Sequence, residues 1–306
     1  MNFMRIYTHP DCLEHQVMDG HPERPERLSH LMAHLQRVGF TQDFQVLKPK
    51  PIPDQRILAA HDPAHLDFLL ASQPEDGILP LDPDTWMSPA SLSAAKLAAG
   101  AVFAGMDCVL NGPEQRVFCA VRPPGHHAER ASAMGFCLLN SVAIAAIAAL
   151  DHRDVNRVAI LDFDVHHGNG TVDICRHRPE ILVCSSFQHP YYPNRLDDLD
   201  QVNIVNTPLQ AGSDGSVFRA AIERDWLRAI EAHQPDIIFV SAGFDAHTRD
   251  PLADLHLVED DYRWVTDFIV AMANQYAQGR IVSTLEGGYD LDALAGSALA
   301  HLSALA

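Results

Sequence analysis

The chain has 306 residues, 47% of them hydrophobic and 20% charged, with 17 Gly, 20 Pro and no low-complexity run; this composition excludes a disordered or fibrous chain and fits a compact globular one. Acidic residues outnumber basic ones 40 to 22, giving a formal charge of −18, and no Lys/Arg cluster offers a footprint for phosphates, so nucleic acid is excluded as an expected partner. The N-terminal "MNFMRIYTHPDC" has no basic region followed by an apolar core, and the longest apolar stretch, Val142 to Leu150, is too short to span a bilayer, so no membrane partner is expected and the expected compartment is the cytoplasm.

No linker or charge block divides the chain, and residues 1–306 are expected to form a single α/β domain. "MRIYTH" and "FQVLKPKPI" predict edge strands, and "HPERPERLSHLMAHLQRVG" predicts a loop and then a helix ending at Arg37 before Gly39. From residue 115 onward, strands are predicted in "QRVFCAV", "RVAILDFD", "EILVCSSF", "VNIVNTPL", "DIIFVSAGF" and "RIVSTLE". Helices are predicted in "GFCLLNSVAIAAIAAL", over about 214–233 and 259–278, and from 291. Such alternation implies a mostly parallel central sheet with helices on both faces. The six Cys form no C-x-x-C pair, and several sit in apolar runs such as "VFCAV"; they read as reduced core residues.

The polar motifs fall just after predicted strands, where open parallel sheets bind ligands. Arg122-Pro-Pro-Gly-His126-His127 follows one strand, Asp162-Phe-Asp164-Val-His166 a second, Asp245 a third and Glu286-Gly-Gly-Tyr289 a fourth. The spacing of two between Asp162, Asp164 and His166 would turn all three to one face of an extended strand end. Two carboxylates there repel unless a cation neutralises them. Asp164, His166 and Asp245 form an open three-ligand set, the catalytic pattern. The imidazole and low ligand number favour zinc, while the oxygen-rich set also suits Fe(II) or Co(II); the alternative is a polar loop capped by its own hydrogen bonds. His126 and His127, on a turn stiffened by Pro123 and Pro124, can move protons beside the metal, and Tyr289 can donate to an oxyanion.

"HPERPERL", "RPPGHH", "GFCLLN", "DFDVHHGNG", "SAGFDAH" and "LEGGYD" run in this order from His21 to Asp290 and resemble the motifs of the histone deacetylase family, most closely its class II and bacterial amidohydrolase-like members. The resemblance implies the arginase/deacetylase fold and a zinc-dependent amidohydrolase whose narrow tunnel accepts an acylated lysine protein or peptide, or a related acylated amine. An acetylpolyamine or other small amide is the alternative substrate. Residue by residue, it implies Asp164, His166 and Asp245 as zinc ligands, His126 and His127 as the tandem catalytic pair, and Tyr289 as the oxyanion donor. Asp162 becomes the partner of His126 and, with Ser185, a ligand of a nearby potassium ion. Asn169 stands behind His127, and Arg27 behind the site. Gly135 and Phe136 line the tunnel, the Gly carbonyl accepting the substrate N–H, whereas Cys137 and Asn140 have packing roles. Two positions depart from the common pattern: Tyr192 stands where many relatives carry Phe, and Leu252 where polyamine-selecting relatives carry an acid. A two-metal ureohydrolase shares the fold, but His247 stands where its second Asp would be expected.

Overall fold

In the computed structural model, which describes residues 4–42 and 44–306, strand β1 (Arg5–Tyr7) leads to helix α1 (Glu26–Arg37). The helix stops where Gly39 takes a φ of +79°, the conformation a C-terminal glycine supplies most readily. Strand β2 (Gln45–Leu47), helices α2 (Asp54–Ala60) and α3 (Pro63–Ala71), a hairpin of β3 (Leu79–Pro80) and β4 (Trp86–Met87), and helix α4 (Ser91–Asn111) follow. Strands and helices then alternate: β5 (Arg116–Cys119), α5 (Ser141–Ala149), β6 (Val158–Asp162), α6 (Asn169–Cys175), β7 (Ile181–Gln188), β8 (Ile204–Leu209), α7 (Gly215–His233), β9 (Ile237–Ala242), α8 (Glu259–Tyr276), β10 (Ile281–Leu285) and α9 (Leu291–Leu305). Asp214 caps α7 through Ser216 N and Val217 N at 3.0 and 3.2 Å, and Asp290 caps α9 through Ala293 N at 2.8 Å, each satisfying amides that the first turn leaves free.

The main sheet has eight strands in the order β2-β1-β5-β10-β9-β6-β7-β8, and every neighbouring pair is parallel. Its central strands β6, β9 and β10 are buried at every residue, as expected where helices cover both faces. One expectation needs correcting: β1 is not an edge strand but pairs on both sides, with β2 and β5. Pro208 is tolerated in β8 because that strand is a sheet edge.

Nothing in the strand–helix alternation announces α4, and Val142–Leu150 is not the longest apolar element. The 21 residues of α4 are long and apolar enough to cross a membrane by length and composition, but 72% of its most apolar window is buried inside the protein. It is a core helix, apolar on nearly all sides because β5, β10 and α5 pack around it.

Candidate active site

The sheet order makes neighbours of four motifs that are far apart in sequence. β5, β10, β9 and β6 are contiguous, so His126 and His127, Glu286 to Tyr289, Asp245, and Asp162 to His166 emerge along one continuous edge. β6 ends at Asp162, which corrects the expectation of an extended strand end. Beyond it the chain folds into two successive side-chain turns: Asp164 N donates to Asp162 Oδ1 at 3.1 Å, and His166 N donates to Asp164 Oδ1 at 2.9 Å. The spacing of two therefore reflects Asx turns rather than the pleat of a strand.

Ligand atoms of Asp164, His166 and Asp245 all lie within 4.8 Å of one another, and all three residues are buried. His166 Nδ1 is 3.1 Å from Asp164 Oδ1 and 3.2 Å from Asp245 Oδ2. Gly287 N donates to Asp164 Oδ2 at 2.8 Å and Val165 N to Asp245 Oδ1 at 2.9 Å. Among the described residues none makes a hydrogen bond to Asp245 Oδ2, the 3.2 Å approach of His166 Nδ1 not being one. The Gly-Gly turn is required here, since a Cβ on Gly287 would lie 2.0 Å from that oxygen. Burial opposes charge on His166, but its hydrogen bond with Asp164 and the negative fields of Asp164 and Asp245 outweigh it and push its pKa up to about 10. A donor-less buried carboxylate oxygen beside a second carboxylate and an imidazole fits a divalent cation. His247 does not join the cluster; its Nε2 lies 3.6 Å from Glu259 Oε2.

The His126 and His127 rings are 4.0 Å apart, but their surroundings differ. His126 Nδ1 is 3.0 Å from Asp162 Oδ2, and its Nε2 is 3.7 Å from Asp164 Oδ1. Burial opposes its charge, yet Asp164 and Asp162 outweigh that and hold its pKa well above the usual value. Around His127, burial and the positive fields of His126 and His166 drive the pKa well below it. His127 Nδ1 is 2.7 Å from Asn169 Oδ1, and Asn169 Nδ2 donates to Glu129 Oε1 at 2.7 Å. Because the carboxylate only accepts, the amide oxygen must face His127. The network therefore places the His127 proton on Nδ1 and leaves Nε2 as an acceptor.

A cavity of about 150 Å³ opens onto His127, His166 and Tyr289, and Gly135, Phe136, Tyr192 and Leu252 all line it. Gly135 and Phe136 have φ of +56° and +68° at the tip of a two-residue hairpin turn between Met134 and Cys137, the pattern that needs positive φ at both central residues. A side chain at Gly135 would come within 2.4 Å of His127 Cδ2. The Gly135 carbonyl already accepts the Cys137 thiol at 3.2 Å, which leaves one lone pair for another donor. The Tyr192 ring stands edge-on to His127 at 5.2 Å, and its hydroxyl is buried without a hydrogen-bond partner among the described residues. Arg27 donates to Gly288 O at 2.6 Å, and its guanidinium lies 4.9 Å from the centre of the Tyr289 ring. Ser185 stands opposite Asp162 in the β6–β7 register and accepts from Gly168 N at 3.3 Å. Asn140 does more than pack: it caps α5 by accepting from Ala143 N at 3.0 Å.

The spacing of motifs does not single out several residues the fold brings in. Glu286 accepts from Gly125 N at 2.6 Å and His126 N at 3.2 Å, anchoring the histidine turn, and burial pushes its pKa up to about 7. Its place inside "LEGGY" is the only signal in the chain. Asp250 accepts from Tyr289 N at 2.7 Å and Leu252 N at 3.0 Å. Tyr191 stacks on His166 at 5.6 Å and donates to Leu252 O. Asp84, from the loop joining β3 and β4, also lines the cavity.

The histone deacetylase domain model matches residues 21–305. The chain belongs to the histone deacetylase family. A histone deacetylase-like amidohydrolase of Pseudomonas aeruginosa is 36% identical over 277 residues, covering 88% of this chain and 73% of that protein. An uncharacterized protein of Synechocystis sp. is 42% identical over 306 residues, covering 98% of each chain. The crystal structure of the HDA15 HD domain superposes with a TM-score of 0.92 at 31% identity, covering 99% of this chain and 88% of that one. This histone deacetylase-family chain is accordingly a hydrolase acting on amides, built on the family's fold.

Proposed function

We propose that the chain is a zinc-dependent deacetylase that releases acetate or another short acyl group from acylated lysine side chains or related acylated amines. The observation that carries this reading is the meeting of the buried Asp164, His166 and Asp245 cluster with His127, whose Nδ1 is engaged by Asn169, and Tyr289 at one narrow, aromatic-walled cavity. Held by that cluster, zinc supplies Lewis-acid polarisation of the acyl carbonyl and of water. His127 Nε2 accepts the proton of the attacking water and returns it to the amine nitrogen as the C–N bond breaks, so one amide and one water become a carboxylic acid and an amine. His126 remains the charged partner, and the Tyr289 hydroxyl donates to the oxyanion that develops at the former carbonyl. Phe136 and Tyr192 suit the aliphatic stem of a lysine. In the same reading Asp162 and Ser185, facing each other across β6 and β7, hold a potassium ion, and the six free buried cysteines go with a reducing compartment such as the cytoplasm.

Leu252 adds no charge to the cavity, and the lining carboxylate Asp84 already accepts from Gly135 N at 3.1 Å and Thr85 Oγ1 at 2.9 Å, which favours acylated lysine over acetylpolyamines. The test is acetate release by the zinc-loaded protein from acetyl-lysine peptides, longer acyl-lysine peptides and acetylpolyamines. Preferred turnover of acetylpolyamines would transfer the assignment to small amines, and two metal ions per chain would favour the ureohydrolase chemistry. No amide hydrolysis at full metal occupancy would remove the proposal.

A further inference from the structure

Behind His127 a line of hydrogen bonds runs to the surface. Asn169 Oδ1 meets His127 Nδ1 at 2.7 Å, Asn169 Nδ2 donates to Glu129 Oε1 at 2.7 Å, and Arg195 Nη2 pairs with Glu129 Oε2 at 2.9 Å. A primary amide is nearly symmetric in shape, so its neighbours decide which end faces which group. Were Asn169 turned round, its N–H would face His127 Nδ1, the ring proton would move to Nε2, and the lone pair on the cavity side would be lost. Glu129, only 5% exposed, blocks that orientation, because the Asn169 carbonyl oxygen would then face a carboxylate.

We propose that Glu129 is a positioning residue for amide hydrolysis: its carboxylate fixes the Asn169 amide and thereby keeps His127 Nε2 free to accept a proton. This rests on the reading of His127 as the base. Arg195 ties the arrangement to the cavity wall, since it belongs to the loop that carries Tyr191 and Tyr192. It is flanked there by Asn194 and Leu196, whose φ of +53° and +60° mark a backbone held by its surroundings rather than by local preference. The same geometry explains why residue 169 is an amide. An Asp at that position would set a second buried carboxylate against Glu129, and like charges at hydrogen-bond distance in a dry site are costly. An Asp needs no orienting acceptor, however, because both of its oxygens accept. Glu129 and Asn169 are therefore a matched pair, and removing Glu129 should have opposite effects in the two backgrounds.

The experiment compares the zinc-loaded wild type with Glu129→Ala, Glu129→Gln, Asn169→Asp and Glu129→Ala/Asn169→Asp, with His127→Ala as control. The readouts are kcat and KM on an acetyl-lysine peptide and the His127 tautomer from side-chain 15N NMR, which needs no substrate. Glu129→Ala should lower kcat by roughly 10- to 100-fold, the scale for losing a residue that orients a reactive side chain, with KM nearly unchanged and a loss of the Nδ1–H tautomer. Glu129→Gln can still accept from Asn169 and should retain most activity. Asn169→Asp should be impaired, and deleting the Glu129 carboxylate in that background should raise kcat. Should Glu129→Ala not fold, Glu129→Gln/Asn169→Asp set against Asn169→Asp poses the same question. Losses that multiply in the double variant, or a His127 tautomer unchanged in Glu129→Ala, would overturn the inference. An inactive His127→Ala alongside those results would leave the base assignment standing, whereas an active His127→Ala would remove that assignment itself.

Discussion

The two halves of the site hold the same kind of side chain in opposite states. On one side His126 and His166 face Asp162, Asp164 and Asp245, and both imidazoles are driven towards the charged form. On the other, His127 faces a neutral amide, the rings of His126 and His166 and a tight turn, and burial with the fields of those rings drives it towards the neutral form. Adjacent positions in the chain, with rings 4.0 Å apart, thus acquire different chemistry from the strands that supply their partners. Carboxylates just beyond β6 and β9 create a place for a cation; Asn169 at the start of α6 preserves a base. Protonation here is a property of the surroundings, and the residue type sets only its range.

The largest test breaks the charged half. Asp164→Ala should remove most of the bound divalent ion and nearly all activity while the chain stays folded, because an open three-ligand site is not what holds the sheet together; elemental analysis beside circular dichroism reads both, and full metal occupancy would refute the ligand assignment. Next comes the contrast within the pair. His127→Ala should cost roughly 10²–10⁴ in kcat, the usual contribution of a positioned general base, and more than His126→Ala; a deeper loss from His126→Ala in steady-state assays would reverse their roles. Tyr289→Phe should lower kcat by roughly 10²–10³, the scale for one oxyanion donor, with metal content unchanged, whereas near wild-type turnover would leave the oxyanion to the metal alone.

The smallest effect sharpens the comparison from outside the site. His301 is a buried histidine with no carboxylate partner, held between Thr266 and Ser283 at 2.6 and 2.8 Å, and burial lowers its pKa to about 3. In the unfolded chain it takes up a proton below about pH 6.5 that the native state refuses. It therefore costs stability as pH falls from there towards about 3, by about 1.4 kcal/mol per pH unit. Urea unfolding of His301→Gln should show a correspondingly shallower loss over that window. An unchanged slope would mean that the native state admits the proton.

That Asp164, His166 and Asp245, the tandem histidines and Tyr289 would come together was legible because each motif packs its polar residues into a few positions just past an apolar strand. The alternation of strands and helices after residue 115 was legible for a similar reason: a parallel sheet covered on both faces writes short apolar runs between amphipathic helices. Helix α4 was not, since an element buried nearly all round loses the period that would mark it. Glu129, Asp250 and Arg195 were not either, and Glu286 was marked only by its motif and not by its role, because a carboxylate or guanidinium carries no local sign of which distant group it will meet.

By itself the sequence determined which residues could do the chemistry and on what kind of scaffold, through patterns that extend over a few positions. The tertiary structure decided who faces whom. β10, the last strand made, inserts between β5 and β9, which carries Glu286 to the histidine turn and Gly287 against Asp164. Many orders of parallel strands would bury equivalent apolar residues, so the hydrophobic pattern leaves the order open; side-chain packing, backbone pairing and the burial of charge select among them only once the whole sheet is assembled.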